Sequence, residues 1–173
     1  YNTYNNSNEQ AVVLGNNVTM QDTVTATGQI VSDPACKVAL NGDVTSTAGI
    51  GTVTTEQFDA SNAQTGKTVI DSMDDSVSGG IILGETTAGA VTLKTEGGNI
   101  SLGDNSVLDG TTVSAESADL NKTVYSNDGG SWNTVASTEK LGTIEGSVTL
   151  GENTTVKGNS TLTADDNIAI GNN

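Results

Sequence analysis

The segment "GSVTLGENTTVKGNSTLTADDNIAIG" (146–171) alternates apolar or β-branched residues with polar ones, and Gly, Asn or Asp interrupts it every few residues. A period of two with such interruptions is typical of short β-strands joined by tight turns. The segment "GAVTLKTEGGNISLGDNSVLDG" (89–110) repeats the pattern, as do shorter runs through most of the chain. Helical periodicity is nearly absent. The sequence therefore predicts an all-β protein.

A four-residue repeat sets the rhythm of these strands: Leu or Ile, then Gly, then an acidic residue or Asn, then Asn or Thr. With a looser copy at Leu40-Asn41-Gly42-Asp43, the steps between first residues are 26, 43, 19, 48 and 20. If each long step contains two turns, the chain forms about seven turns of about 22 residues, which predicts a parallel β-solenoid, or β-helix. An antiparallel β-sandwich that exchanges a strand between subunits is the alternative. The five close copies begin at Leu14, Leu83, Leu102, Leu150 and Ile170.

The repeat has a physical interpretation as the corner of a turn. Leu or Ile would point inward at the end of a strand, and Gly would supply a positive φ for the bend. The Asn or Asp that follows tolerates the left-handed conformation and can hydrogen-bond to the next turn. Stacked aliphatic side chains would then form a core that needs few aromatic residues.

The charge and composition exclude several classes of function. The 173 residues include 21 acidic residues, six Lys, no Arg and no His, for a net charge of −15. Nucleic acids and anionic lipids are bound by clusters of Lys and Arg, whereas these lysines are scattered singly. Without His or Arg the chain cannot build a Ser or Cys triad or a guanidinium clamp. We therefore expect no enzyme activity, no nucleic-acid partner and no membrane insertion.

The rhythm defines a domain organisation. Residues 1–10 form a polar leader, and residues 11–173 are predicted to be a single β-solenoid domain. Two regions break the rhythm, 54–78 with the only Phe and 115–142 with the only Trp, and they are candidate insertions. Cys36 has no second Cys to pair with and is predicted to be a small buried or idle thiol, with an intermolecular disulfide as the alternative if the protein is exported and assembles. A first residue other than Met predicts a processed or excised product.

The quoted segments 89–110 and 146–171 resemble the β-helical stalks of secreted bacterial surface proteins, namely the filamentous-haemagglutinin-like and autotransporter passengers. The resemblance implies a parallel β-helix, commonly right-handed, and a surface or adhesive role with a surface glycan or receptor as partner. The polar, Gly-rich and aromatic-poor composition likewise indicates an exported protein at the cell surface or outside the cell.

Groups of Asp in predicted turns are candidates for Ca²⁺ ligands, because closely spaced carboxylates suit this hard cation. None of these groups matches an EF-hand loop or a calcium-binding nonapeptide repeat, so solvated surface acid is the alternative. No other cofactor is expected. The candidates are Asp71, Asp74, Asp75, Asp104, Asp109, Asp165 and Asp166.

The two ends of the predicted solenoid suggest its function. The stretch "IAIGNN" (168–173) starts a new turn with no cap, and the regular part begins on the similar "VVLGNN" (12–17). Open solenoid ends carry unpaired backbone groups that template further strands. We therefore predict end-to-end assembly into a homopolymeric filament, with the leader as a clasp across the junction. The contact would consist of Val12, Val13, Leu14, Asn16 and Asn17 on one end, and Ile168, Ile170, Asn172 and Asn173 on the other.

Two other functions stay open. The chain could be a segment of a longer adhesin or autotransporter stalk, in which the repeat simply continues. Thr-x-Thr pairs at 23–25, 25–27, 45–47, 52–54 and 161–163 also fit an ice-binding β-solenoid, although Thr is common on exposed strand faces.

Overall fold

The computed structural model describes residues 10–128, 130–134 and 138–173. Every helix or strand within these residues is a β-strand, which confirms the all-β prediction. The strands are numbered β1–β21 in chain order and belong to four sheets, which we name A to D. Most of the predicted leader, residues 1–9, lies outside the described residues.

Sheet A has six strands, and every neighbouring pair in it is parallel. In spatial order its strands are β1 (Gln10–Leu14), β4 (Gln29–Ser32), β9 (Gly79–Leu83), β12 (Gly98–Leu102), β18 (Val148–Leu150) and β21 (Ile168–Ile170).

Sheets B and C have five strands each and are also parallel. Sheet B contains β2 (Val18–Met20), β5 (Lys37–Leu40), β10 (Glu85–Ala88), β13 (Val107–Asp109) and β19 (Thr155–Lys157). Sheet C contains β3 (Val24–Thr27), β6 (Val44–Thr47), β11 (Thr92–Glu96), β14 (Thr112–Glu116) and β20 (Thr161–Ala164).

The chain visits these sheets in a fixed order: it passes through A, B and C and then returns to A. We call one such passage a circuit. Equivalent residues of successive circuits pair directly, and they lie about 20 residues apart where no strand of sheet D intervenes, as Leu93 does with Val113 and Val148 with Ile168. This order of parallel strands is compatible with the predicted β-solenoid.

Sheet D is antiparallel and is built where the chain leaves the circuits, after β6 and after β14. Most of it comes from residues 54–78 and 115–142, whose description as insertions into one domain stays a prediction. Its strands are β7 (Gly49–Phe58), β8 (Gln64–Val77), β15 (Ala118–Asp128), β16 (Ser131–Thr134) and β17 (Glu139–Ile144).

The predicted count of seven turns is wrong, because the two long steps do not contain two turns each. The step from Leu40 to Leu83 contains the β7–β8 pair of sheet D, and the step from Leu102 to Leu150 contains one circuit followed by β15, β16 and β17. The looser copy at Leu40 also ends a strand of sheet B, whereas the five close copies follow strands of sheet A. The alternative of an antiparallel sandwich does not describe sheets A, B and C, since all their pairs are parallel.

The core consists of aliphatic side chains that stack on their own equivalents. Ile30, Ile81 and Ile100 pair in register across sheet A and are fully buried. Val44 and Leu93 stack in the same way across sheet C. Each fully buried side chain of this size contributes about 1.5–3 kcal/mol relative to its exposed state. Branched aliphatic side chains in successive layers about 4.8 Å apart thus fill most of the interior.

Polar residues inside this core are hydrogen-bonded. Ser46 is fully buried in β6, where its Oγ donates to the carbonyl oxygen of Gly28 at 2.6 Å and accepts from the backbone N–H of Gly80 at 2.8 Å. One hydroxyl thus joins three successive circuits.

Replacing Ser46→Ala should lower the free energy of unfolding by about 1–3 kcal/mol, because the Gly28 carbonyl and the Gly80 amide lose their partner inside the protein. Urea denaturation followed by circular dichroism measures the change. Thr45→Ala is the matched control, since Thr45 neighbours Ser46 and points to the opposite face of the strand. An equal loss of stability in both variants would contradict this role for Ser46.

Candidate assembly site at the ends of the parallel sheets

The corner between sheets A and B is formed by the repeat found in the sequence, and its third residue connects neighbouring circuits. Asn16 Oδ1 accepts from the backbone N–H of Lys37 at 2.9 Å. Asp104 Oδ1 accepts in the same way from the N–H of Glu152 at 2.8 Å. The side chain of each of these corners therefore satisfies a backbone donor of the following circuit, as a ladder of hydrogen bonds requires.

In four of the five close copies the fourth residue is an Asn that makes the bend. Asn17, Asn105, Asn153 and Asn173 have φ angles of 61°, 62°, 56° and 63°, in the left-handed region that Asn tolerates. The prediction that the repeat's Gly supplies the positive φ is wrong, because none of these glycines has one. The backbone N–H groups of Asn17, Asn105 and Asn153 donate to the next circuit, as from Asn17 to the Lys37 carbonyl at 2.8 Å.

The Gly of the corner is needed for space. A Cβ atom on Gly103 would lie 2.7 Å from the carbonyl carbon of Gly84, and one on Gly151 would lie 2.5 Å from the backbone N of Asp104. A Cβ on Gly171 would lie 2.8 Å from the backbone N of Glu152. At each of these positions the side chain would point into the backbone of the preceding circuit.

Gly15 is the exception among the corner glycines. A Cβ at this position would meet no described atom within 4 Å, because no circuit of the described chain precedes it. Position 15 therefore carries a glycine, which admits a close backbone neighbour, although the described chain places no backbone there.

The predicted interface residues lie at the two outer edges of sheet A. Val12 and Leu14 belong to β1 on one edge, where Val13 is 67% exposed. Ile168 and Ile170 belong to β21 on the other edge and are 45% and 59% exposed. The corner residues Asn16 and Asn17 lie beside the first edge, and Asn172 and Asn173 lie beside the second. Within one chain, the residues of each half of the predicted interface therefore lie together, and the two halves lie at opposite edges of the sheet.

At the second edge, apolar side chains that point toward the interior are exposed to solvent. Ile168 pairs with Val148, and Val156 of β19 pairs with Leu108, and both partners are at most 1% exposed. Because directly paired residues point to the same side of a sheet, Ile168 and Val156 point inward yet remain accessible. At this edge no described strand covers the interior.

The predicted calcium ligands do not come together. Asp71 Oδ2 accepts from the N–H of Asn121, and Asp165 Oδ2 accepts from that of Ser117. Among the residues described, no three His, Cys, Asp or Glu side chains lie close enough to hold a metal ion. The remaining candidates are Asp74 and Asp75 in β8, Asp104 in a corner, Asp109 at the end of β13, and Asp166, whose Oδ2 accepts from the N–H of Gly146.

Calcium binding stays a prediction that thermal unfolding can check. A bound ion raises the melting temperature by mass action, so about 5 mM CaCl₂ should raise it relative to EDTA if any of these groups binds. Identical melting temperatures would contradict a calcium site.

The Thr columns of sheet C are interrupted by charge. Thr25 pairs with Thr45, but Thr45 pairs next with Lys94 of β11. Lys94 Nζ lies 3.0 Å from Glu96 and 3.2 Å from Glu116, and hydrogen bonds to these two carboxylates raise the pKa of Lys94. The flat Thr array that an ice-binding surface needs does not continue past β6 on this face.

Comparison with known proteins gives no further identification: no family model matches the chain, and searches of curated proteins and of solved structures find no match. The described residues include no helix that is long and apolar enough to cross a membrane.

Cys36 is a free, partly exposed thiol.

Gly103→Ala should destabilise the chain and Gly15→Ala should not. The Cβ of the first variant collides with the Gly84 backbone, and overpacking of this kind typically costs about 1–3 kcal/mol. The Cβ of the second meets open space within the chain, so its effect should stay within about 0.5 kcal/mol. Chemical denaturation at low protein concentration measures both. A large loss in Gly15→Ala would show that another part of the same chain covers Gly15.

Proposed function

We propose that this chain is the structural subunit of an extracellular or cell-surface filament, and that its circuits form a β-solenoid whose open edges join end to end. Two observations support the solenoid. The chain passes through sheets A, B and C in a repeated order, and in several parallel pairs the paired residues lie about 20 positions apart in the sequence. A right-handed solenoid is implied by the resemblance to β-helical surface proteins, and a location outside the cell by that resemblance and by the amino-acid composition. Both are part of the proposal.

Gly15 is the observation that carries the proposal. Gly103, Gly151 and Gly171 each admit the backbone of the circuit before them. Gly at position 15 has the same use only if a circuit also precedes β1. The edge formed by β21 is the natural occupant, because it ends in the corner "IGNN" (170–173), which belongs to the same repeat as "LGNN" (14–17).

The contacts of the proposed junction follow from those inside the chain. Gly15 of one copy would lie on Gly171 of the next, and Asn172 Oδ1 would accept from the N–H of Asn16, as Asp104 Oδ1 does from Glu152. Val12 and Leu14 would cover Ile168 and Ile170, extending the columns of sheet A. The junction would then repeat the interior of the molecule rather than form a separate type of surface.

Sheets B and C have one strand fewer than sheet A. When β1 pairs with β21 of another copy, one strand position in sheet B and one in sheet C therefore stay open at the junction. That residues 1–10 act as a clasp across this junction stays part of the proposal.

Charge opposes this assembly. Each copy carries a net charge of −15, so approaching ends repel each other until salt screens them. At an ionic strength of about 0.15 M the screening length is about 8 Å, which is shorter than the molecule but longer than the junction contacts. The apolar cross-section and the backbone hydrogen bonds must outweigh the remaining repulsion.

A segment of a longer cell-surface adhesin or autotransporter stalk is the second candidate, and the same observation favours it. In a longer polypeptide the circuit that covers Gly15 would come from the chain itself. The two candidates differ in whether the isolated chain of 173 residues polymerises.

Negative-stain electron microscopy of the purified chain should show long thin filaments, and Gly15→Val should abolish them. The Val side chain would occupy the space that the next copy's corner needs. Gly89→Val is the matched control, because a Cβ on Gly89 also meets nothing within 4 Å but lies away from both edges. Dispersed particles of the unaltered chain at every concentration and salt tested would overturn the filament and leave the stalk segment.

Filament length should increase with salt. Raising NaCl from about 20 mM to about 300 mM shortens the screening length from roughly 20 Å to roughly 6 Å and weakens the repulsion between ends. Light scattering against salt concentration measures the effect. Assembly that weakens with salt would contradict a junction made of apolar contacts and backbone hydrogen bonds.

A further inference from the structure

Within the described residues, the aromatic side chains lie outside the parallel sheets. The sequence contains one Trp, one Phe and three Tyr, of which Tyr1 and Tyr4 lie outside the described residues. The other three, Phe58, Tyr125 and Trp132, belong to the antiparallel sheet D. They contribute nothing to the core of sheets A, B and C, which is aliphatic.

Two of these rings enclose a lysine on one face of sheet D. Lys67 pairs in register with Tyr125, and Trp132 pairs with Asn127 two residues further along β15. Lys67 Nζ lies 5.1 Å from the centre of the Tyr125 ring and 4.7 Å from that of the Trp132 ring. The indole remains 38% exposed. We call Lys67, Tyr125 and Trp132 the lysine–aromatic site.

A carboxylate lies beside the lysine of this site. Glu56 of β7 pairs in register with Lys67, which places both on the same face. Lys37, Lys94 and Lys140 form ion pairs, whereas within the described residues Lys67 and Glu56 form none. The site therefore presents N–H donors and carboxylate acceptors beside two aromatic rings.

The geometry of the site is held in place by Asn127. Its Nδ2 donates to the carbonyl oxygen of Gln64 at 3.1 Å, and its Oδ1 accepts from the N–H of Gly130 at 2.9 Å. These bonds tie the turn between β15 and β16 to β8, so the strand that carries Trp132 is fixed relative to Lys67. A site arranged before binding loses less conformational entropy when a ligand arrives.

We propose that the lysine–aromatic site binds an uncharged carbohydrate. An aromatic ring offers a flat apolar face with negative potential, which suits the C–H face of a sugar ring. The neighbouring ammonium and carboxylate can donate to and accept from the hydroxyl groups of the same sugar. Because both charge signs are present, a strongly charged ligand gains at one group and loses at the other. The face is open rather than enclosed, which fits a unit within a glycan chain.

Carbohydrate binding at the lysine–aromatic site does not require the filament. A single open site of this kind is expected to bind weakly, with a Kd on the order of 1 mM. If the filament also forms, it repeats the site at regular intervals, and a long glycan could engage several copies at once with higher avidity.

Intrinsic fluorescence tests the proposal directly, because Trp132 is the only Trp in the chain. The Gly15→Val chain is titrated with cellohexaose, maltohexaose and N-acetylchitohexaose, so that the result does not depend on polymerisation. At least one of these should give a saturable change in emission. An acidic oligogalacturonate and an unstructured neutral peptide are titrated in parallel.

Lys67→Met and Glu56→Gln should each weaken the binding about tenfold or more, because each removes a charged hydrogen-bonding group from the sugar. Lys122→Met is the matched control: Lys122 is three residues from Tyr125 along β15 and therefore points to the opposite face. Circular dichroism verifies that the variants remain folded.

Several results would overturn the proposal. They are the absence of a saturable change with all three neutral oligosaccharides up to about 10 mM, equal affinity in Lys67→Met and Lys122→Met, or binding of the oligogalacturonate or the peptide alone. The last result would assign the surface to an acidic glycan or to a protein partner instead.

Discussion

The structure depends on one constraint, the direct parallel pairing of each circuit with the next. In-register pairing places every inward residue on its equivalent about one strand spacing away, so each core column must be built from side chains that stack on themselves. Ile30, Ile81 and Ile100 satisfy this condition in sheet A. The same pairing brings the corners of successive circuits into backbone contact, which is why Gly103 and Gly151 have no room for a Cβ.

The described circuits are hydrogen-bonded to one another, and the outer edges of their sheets are uncovered within the described residues. Polar groups such as the Ser46 hydroxyl and the Asn16 amide bind to backbone donors and acceptors of neighbouring circuits. At the outer edges, the described chain provides no further circuit for the core columns. The exposed inward-facing Ile168 and the open space above Gly15 are two consequences of this one fact.

Sheet D follows different rules because it is not constrained by stacking. Its strands are antiparallel, longer than most of those in the circuits, and open to solvent over much of β7. The aromatic residues Phe58, Tyr125 and Trp132 all lie in this sheet. The chain is thus divided into two parts. The stacked circuits form a structural part, and sheet D is free to carry a recognition surface.

The sequence by itself determined that the protein is all-β and that Leu or Ile ends the strand before each repeated corner, since these depend on the period of the pattern and on burial. It did not determine that Asn rather than Gly takes the positive φ of the bend, because both residues tolerate that conformation. The use of the corner glycines, the number of circuits and the meeting of Lys67, Tyr125 and Trp132 were decided only by the tertiary structure. Spacing along the chain does not distinguish a second circuit from an excursion such as β7–β8, because both occupy a similar number of residues. Nor does it reveal which backbone lies against a glycine, because the atoms in contact at Gly103 and Gly84 come from different circuits.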